Sequence, residues 1–112
     1  MRSVGGAAVF AVVLASPVMA QGTVVIGAGY RCDDNRDLPV LFLNGIQPAQ
    51  MAIVWVEDRM VAMRQVTSGS GFRYRSLDAD RPLILRGKGN AVTLYLGEDE
   101  TQTVLTGCET VE

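Results

Sequence analysis

Three features of the 112-residue sequence predict an all-β fold, a small antiparallel β-barrel of about eight strands closed by one disulfide. Short β-rich segments follow one another with turn signals every 8–12 residues or so, the spacing of a sandwich or barrel. No segment carries a convincing helical period. The two cysteines, Cys32 and Cys108, lie one near each end of the β-rich region, and an even count in a small exported domain reads as a disulfide. A closed barrel is preferred to an open sheet because closure removes the unpaired edges of so short a sheet.

Residues 1–20 stand apart from this pattern. Arg2 is followed by an apolar run over residues 4–15, a Ser16-Pro17 break and Val18-Met19-Ala20, the signature of a signal peptide cut after Ala20. The run is shorter than the roughly 20 residues a spanning helix needs, and no cysteine stands near the cut to carry a lipid. The expectation is a mature chain without a membrane anchor, delivered to the periplasm or secreted, with residues 21–112 forming a single domain. A disulfide closing so long a loop would stabilise that domain by about 4.5 kcal/mol in the chain-entropy model.

The strands are expected in order as follows. Residues 23–26 open the pattern, which passes Gly27-Ala28-Gly29 and resumes at Tyr30-Arg31-Cys32. An acidic turn, residues 33–37, precedes the strand signal of residues 38–43. Asn44-Gly45 is the strongest two-residue turn signal and Pro48 extends the break. Residues 51–56 follow, closed by Glu57-Asp58. Residues 60–66 have the composition of a helix but the length and neighbours of a strand. Residues 71–75 alternate as a short strand, Pro82 opens residues 83–85, and residues 91–96 alternate with the period of two that a half-buried strand requires. Gly97-Glu98-Asp99-Glu100 reads as a solvated acidic turn, and residues 103–106 lead to Cys108. Trp55 reads as a core or half-buried residue, and the five methionines as fillers of irregular core space.

Composition excludes several functions. The sequence has no histidine, so Ser-His-Asp and Cys-His catalysis and histidine metal sites are ruled out. With both cysteines bridged there is no thiol nucleophile, and the acidic residues cluster in turns rather than as a glycosidase pair; the chain is expected not to be an enzyme. Asp33-Asp34-Asn35-Arg36-Asp37 starts like a calcium loop, but Leu38 replaces the glycine at its sixth position and Asn44 the glutamate at its twelfth; a solvated turn is the better reading, and no cofactor is implied. Without Arg2 the ten basic residues become nine against twelve acidic ones, a net charge of −3, which argues against a nucleic-acid binder.

One stretch opposes that global charge. Between Ser70 and Lys88 lie Arg73, Arg75, Arg81 and Arg86, opposed by Asp78 and Asp80, and a local field of this sign suggests a surface for an anionic partner. Read without a partner, the Ser-Gly dipeptides are turns, and Gly87-Lys88-Gly89-Asn90 is a hairpin end whose lysine keeps the tip soluble.

A resemblance gives the stretch a second meaning. Tyr30-Arg31-Cys32, Ser70-Gly71-Phe72-Arg73-Tyr74, Lys88-Gly89 and the final Cys108 resemble the periplasmic and membrane-bound inhibitors of c-type lysozyme, whose pattern runs Y-x-C, S-G-x-R/K-Y, W-x-K-G and a closing cysteine bridged to the first. The resemblance implies a flattened eight-stranded antiparallel barrel and a c-type lysozyme as partner, its two catalytic carboxylates contacted by a serine and a lysine on two loops. Carried over, those residues are Ser70 and Lys88, and the motif glycines Gly71 and Gly89 count with them among the lysozyme-binding positions. Arg73 and Tyr74 would orient the first loop and pack beneath it, Arg73 being long enough to reach the partner. Three positions depart from the pattern: Arg86 stands where the tryptophan is expected, Ala91 comes one residue early, and the Ser70–Lys88 spacing is about four residues longer, a difference placed in residues 76–82. The competing functions are a periplasmic barrel that binds a small ligand or glycan, which needs a polar-lined interior, and a structural envelope protein indifferent to lysozyme.

Overall fold

The computed structural model describes residues 22–46, 48–78, 80 and 82–111; the expected signal peptide lies outside them. Eight strands form a closed antiparallel barrel: β1 (Val24–Cys32), β2 (Arg36–Asn44), β3 (Met51–Val56), β4 (Arg59–Gln65), β5 (Phe72–Ser76), β6 (Leu83–Lys88), β7 (Ala91–Leu96) and β8 (Gln102–Thr110). Each strand pairs with the next, and β1 meets β8 to close the sheet. The closing seam is short, with Tyr30 opposite Thr110 and Arg31 opposite Glu109. The Cys32–Cys108 disulfide joins the same two strands.

Alternation sets the interior. Tyr30, Leu38, Val40, Ala52, Val54, Val56, Val61, Met63, Tyr74, Leu83, Leu85, Val92, Leu94 and Leu105 form a buried apolar core, so the barrel is packed with side chains. The polar group buried among the described residues is Ser76, whose hydroxyl accepts a hydrogen bond from the Leu83 amide at 2.8 Å. That bond anchors the base of the loop after β5. Ala79 and Arg81, in the loop assigned to the longer spacing, lie outside the described residues. Phe42, Phe72 and Tyr74 meet across the interior with centroids 5.5–5.8 Å apart, in the tilted and edge-to-face geometries aromatic rings favour.

Trp55 does not enter the core. It is 46% exposed on the outer wall, where it shares an apolar depression of about 320 Å³ with Leu41, Ile53 and Met60. Met60 is likewise exposed, and Met63 is the methionine that the core buries. Both departures have one cause: in the β3–β4 register Trp55 faces Met60, one position out of phase with the buried Val54, Val56, Val61 and Met63, and a strand turns successive side chains to opposite faces.

The β3–β4 hairpin turns through Glu57 and Asp58, both with positive φ, 54° and 61°. Residues with a Cβ pay about 1–2 kcal/mol each in this region. Asp58→Gly is therefore expected to raise stability by about 0.5–1 kcal/mol, the relief being reduced by glycine's greater freedom in the unfolded chain. Urea unfolding checks this, and a midpoint that stays put or falls would contradict it.

Candidate functional site

The Ser70 loop and the Lys88 hairpin come together at one end of the barrel because β5 and β6 are neighbours, with Phe72 opposite Gly87. Ser70 lies two residues before β5 and Lys88 is the last residue of β6. The two line a common depression of about 250 Å³ with Arg86, Gly87, Ala91, Val92 and Thr93.

Two glycines set how close the loops approach. Gly71 has φ +64°, and a Cβ built on it would lie 2.1 Å from the Gly87 carbonyl oxygen and 3.2 Å from Lys88 Cβ. Gly87 leaves the space that the Phe72 ring fills, since a Cβ there would fall 2.2 Å from Phe72 Cζ. An aromatic ring packed over a cross-strand glycine restores the packing that the glycine gives up. Phe72, at the unspecified position of the S-G-x-R/K-Y pattern and so without a role assigned from sequence, is thus the inner support of the candidate site.

Gly89 plays a lesser part. It has φ +62° with nothing within 4 Å of its would-be Cβ, and it shapes the two-residue turn between Lys88 and Ala91. Gly89→Ala is expected to cost about 1–2 kcal/mol for its backbone conformation alone. Gly71→Ala should cost more than twice that, because a carbonyl of the neighbouring strand must also move. Equal shifts of the urea midpoint in the two variants would show that the close approach carries no energy.

The two serines of this loop, Ser68 and Ser70, are held differently. The Ser68 hydroxyl donates to the Ser70 carbonyl at 2.7 Å and so stabilises the loop from within. Ser70 is exposed, and its hydroxyl has no hydrogen-bond partner among the described residues. Lys88 is also exposed and has no ion-pair partner among them.

The arginines differ. Arg73 Nε donates to Glu100 Oε2 at 2.7 Å and its Nη2 to the Glu98 carbonyl at 3.3 Å. Arg75 donates twice to Glu98 Oε2, and Arg86 Nη1 reaches Glu100 Oε2 at 3.5 Å. The turn expected to be solvated instead folds back over the outer wall of the barrel. Its ion pairs run from β5 to the β7–β8 turn across the outside of β6, and Ile84, on the outer face of β6, is fully buried. Much of the basic field read from the sequence is therefore neutralised within the protein. Without a partner Arg73 is engaged with Glu100, and Tyr74, 4% exposed, supports the loop from the core. Burial raises the Tyr74 phenol pKa above its ordinary value.

Among the described residues no cluster of acidic, cysteine or histidine side chains is arranged to hold a metal ion. What the site offers is an exposed hydroxyl and an exposed ammonium that line one shallow depression.

The sequence from residue 30 to residue 103 matches the family model described as membrane-bound lysozyme-inhibitor of c-type lysozyme. The chain belongs to this family. It is a family of inhibitor proteins, not of enzymes. Among solved structures, the periplasmic lysozyme inhibitor of C-type lysozyme from Salmonella typhimurium, PliC-St, superposes with a TM-score of 0.70 at 27% identity, covering 80% of this chain and all of that one. None of the curated proteins compared with it is a match. The match to the family model spans Tyr30, the Ser70 loop and Lys88, and stops short of Cys108.

Proposed function

We propose that this protein is an exported inhibitor of c-type lysozyme that works by occlusion, placing Ser70 and Lys88 in the substrate cleft. The observation that carries this reading is that Lys88 and Ser70, free of partners among the described residues, line one depression, while the arginines around them are paired internally. A lysozyme cleft holds a protonated acid beside an ionised carboxylate. A slender ammonium on a hairpin tip suits the ionised group, and a hydroxyl that can donate or accept suits either carboxyl. No covalent step is needed. The net charge of −3 left once Arg2 is removed with residues 1–20 would aid encounter with a cationic lysozyme. On this reading residues 1–20 are a cleaved signal peptide and the mature inhibitor acts in the periplasm, where its disulfide can form. The competing reading, a ligand inside the barrel, needs polar groups converging on a cavity, and the interior is filled by aliphatic and aromatic side chains.

The deciding experiment titrates the oxidised mature chain into a c-type lysozyme assay on bacterial cell walls. Inhibition that saturates at a 1:1 ratio, relieved by excess lysozyme, is expected. No inhibition at micromolar concentration would reject the proposal.

A further inference from the structure

We infer that Glu100 is a positioning residue for this site: its single carboxylate ties together two arginines that face each other on β5 and β6 and so holds Ser70 at its distance from Lys88. The inference rests on the Ser70–Lys88 reading above and adds to it a residue that does not itself line the depression.

Arg73 stands directly opposite Arg86 in the β5–β6 pair, and like charges in that position push strands apart. Glu100 Oε2 accepts from both guanidinium groups, at 2.7 and 3.5 Å. The Arg73–Glu100 pair is partly withdrawn from solvent, its side chains 18% and 21% exposed, so salt screens it less than an open surface pair. Glu100 reaches this position through a left-handed backbone, φ 58°, with its amide donating to the Gly97 carbonyl at 3.1 Å. The turn is thus shaped to aim the carboxylate back over β6.

Leverage on the site follows from position. Arg73 is three residues after Ser70, and Arg86 is two before Lys88 on the same outward face of β6. The strand pairing ends at Phe72 and Gly87, so a separation at Arg73 and Arg86 is passed directly to both contact residues. Arg86 also lines the depression. Drawn toward Glu100, its guanidinium leaves Lys88 as the cation at the mouth.

The test replaces Glu100 by glutamine in the full oxidised chain, which keeps shape and removes charge, and uses Lys88→Ala as a reference. Amide hydrogen exchange is followed by NMR at Phe72 and Gly87, with the β1–β3 amides as internal control, and inhibition of a c-type lysozyme is measured in parallel. Glu100→Gln is expected to speed exchange at the β5–β6 amides at least tenfold with the control amides unchanged, and to weaken inhibition about tenfold. Adding Arg86→Gln, which removes the repulsion, should bring both within about threefold of the parent. Unchanged exchange, or equal losses with and without Arg86, overturns the positioning role. If Lys88→Ala weakens inhibition and Glu100→Gln does not, only that role fails; if Lys88→Ala has no effect, the Ser70–Lys88 reading fails with it.

Discussion

Replacing Lys88 by alanine is expected to weaken lysozyme inhibition by a factor of about 30 or more, the equivalent of 2–5 kcal/mol, as truncating one partner of a buried charge pair does. The free protein should be almost unaffected, because Lys88 is exposed and has no ion-pair partner among the described residues. That separation of effects is the point of the test: the variant should unfold at the parent's urea midpoint and fail as an inhibitor. Ser70→Ala should lose less, about 1–3 kcal/mol, the cost of leaving a buried carboxyl group without its hydrogen bond. Arg73→Ala should behave in the opposite way, losing stability along with inhibition, since its guanidinium is bound to Glu100 and the Glu98 carbonyl. Inhibition constants within twofold of the parent for both Lys88→Ala and Ser70→Ala would show that the partner docks elsewhere on the barrel.

The second large effect concerns the disulfide. Replacing Cys32 and Cys108 by serine is expected to lower stability by about 4 kcal/mol, because the bond closes a loop with a sequence separation of 76 and restricts the unfolded chain accordingly. For a domain of about ninety residues this is a large part of a total stability of roughly 5–14 kcal/mol. The loss should fall on one place. β1 pairs with β2 along its whole length, from Val24–Asn44 to Cys32–Arg36, but with β8 only at Tyr30 and Arg31. The bond sits next to that short seam, so hydrogen exchange in the serine variant should rise first in β8 and the adjoining end of β1. An unchanged urea midpoint on reduction would mean that the seam holds without it.

Much of the fold was legible because barrel strands alternate. β3 and β7 run over the residues that their alternation marks, and the Glu57-Asp58 turn falls between β3 and β4. Strand ends were misjudged where glycine removes the signal. β1 continues through Gly27 and Gly29, and β6 runs past Leu85 to Lys88 although Gly87 looks like part of a turn. A side chain from the neighbouring strand, Phe72, completes that surface, and no local pattern announces a cross-strand partner fifteen residues away. The candidate site was legible to the extent that the serine and lysine motifs could be recognised together. Glu98 and Glu100 were not, since an acidic turn looks solvated until the barrel order brings it over β5 and β6. The available hint was Arg86, a cation that alternation places on the outer face beside the arginines of β5 and that therefore needed an anion.

The order of the strands also bears on how fast the barrel assembles. Every pairing except β8 with β1 joins sequence neighbours, so most of the sheet can zip up through hairpins that form on a timescale of about 1–10 μs. The final closure must bring the two ends of the domain together and meets the entropy of a long loop. A chain whose disulfide survives unfolding carries those ends already tethered. Its refolding, followed by Trp55 fluorescence after dilution from urea, should outpace that of the serine variant, and the ratio of the two rates measures how much of the closure is complete at the folding barrier. Equal rates would place the meeting of β1 and β8 after the barrier, as the last event in making the barrel.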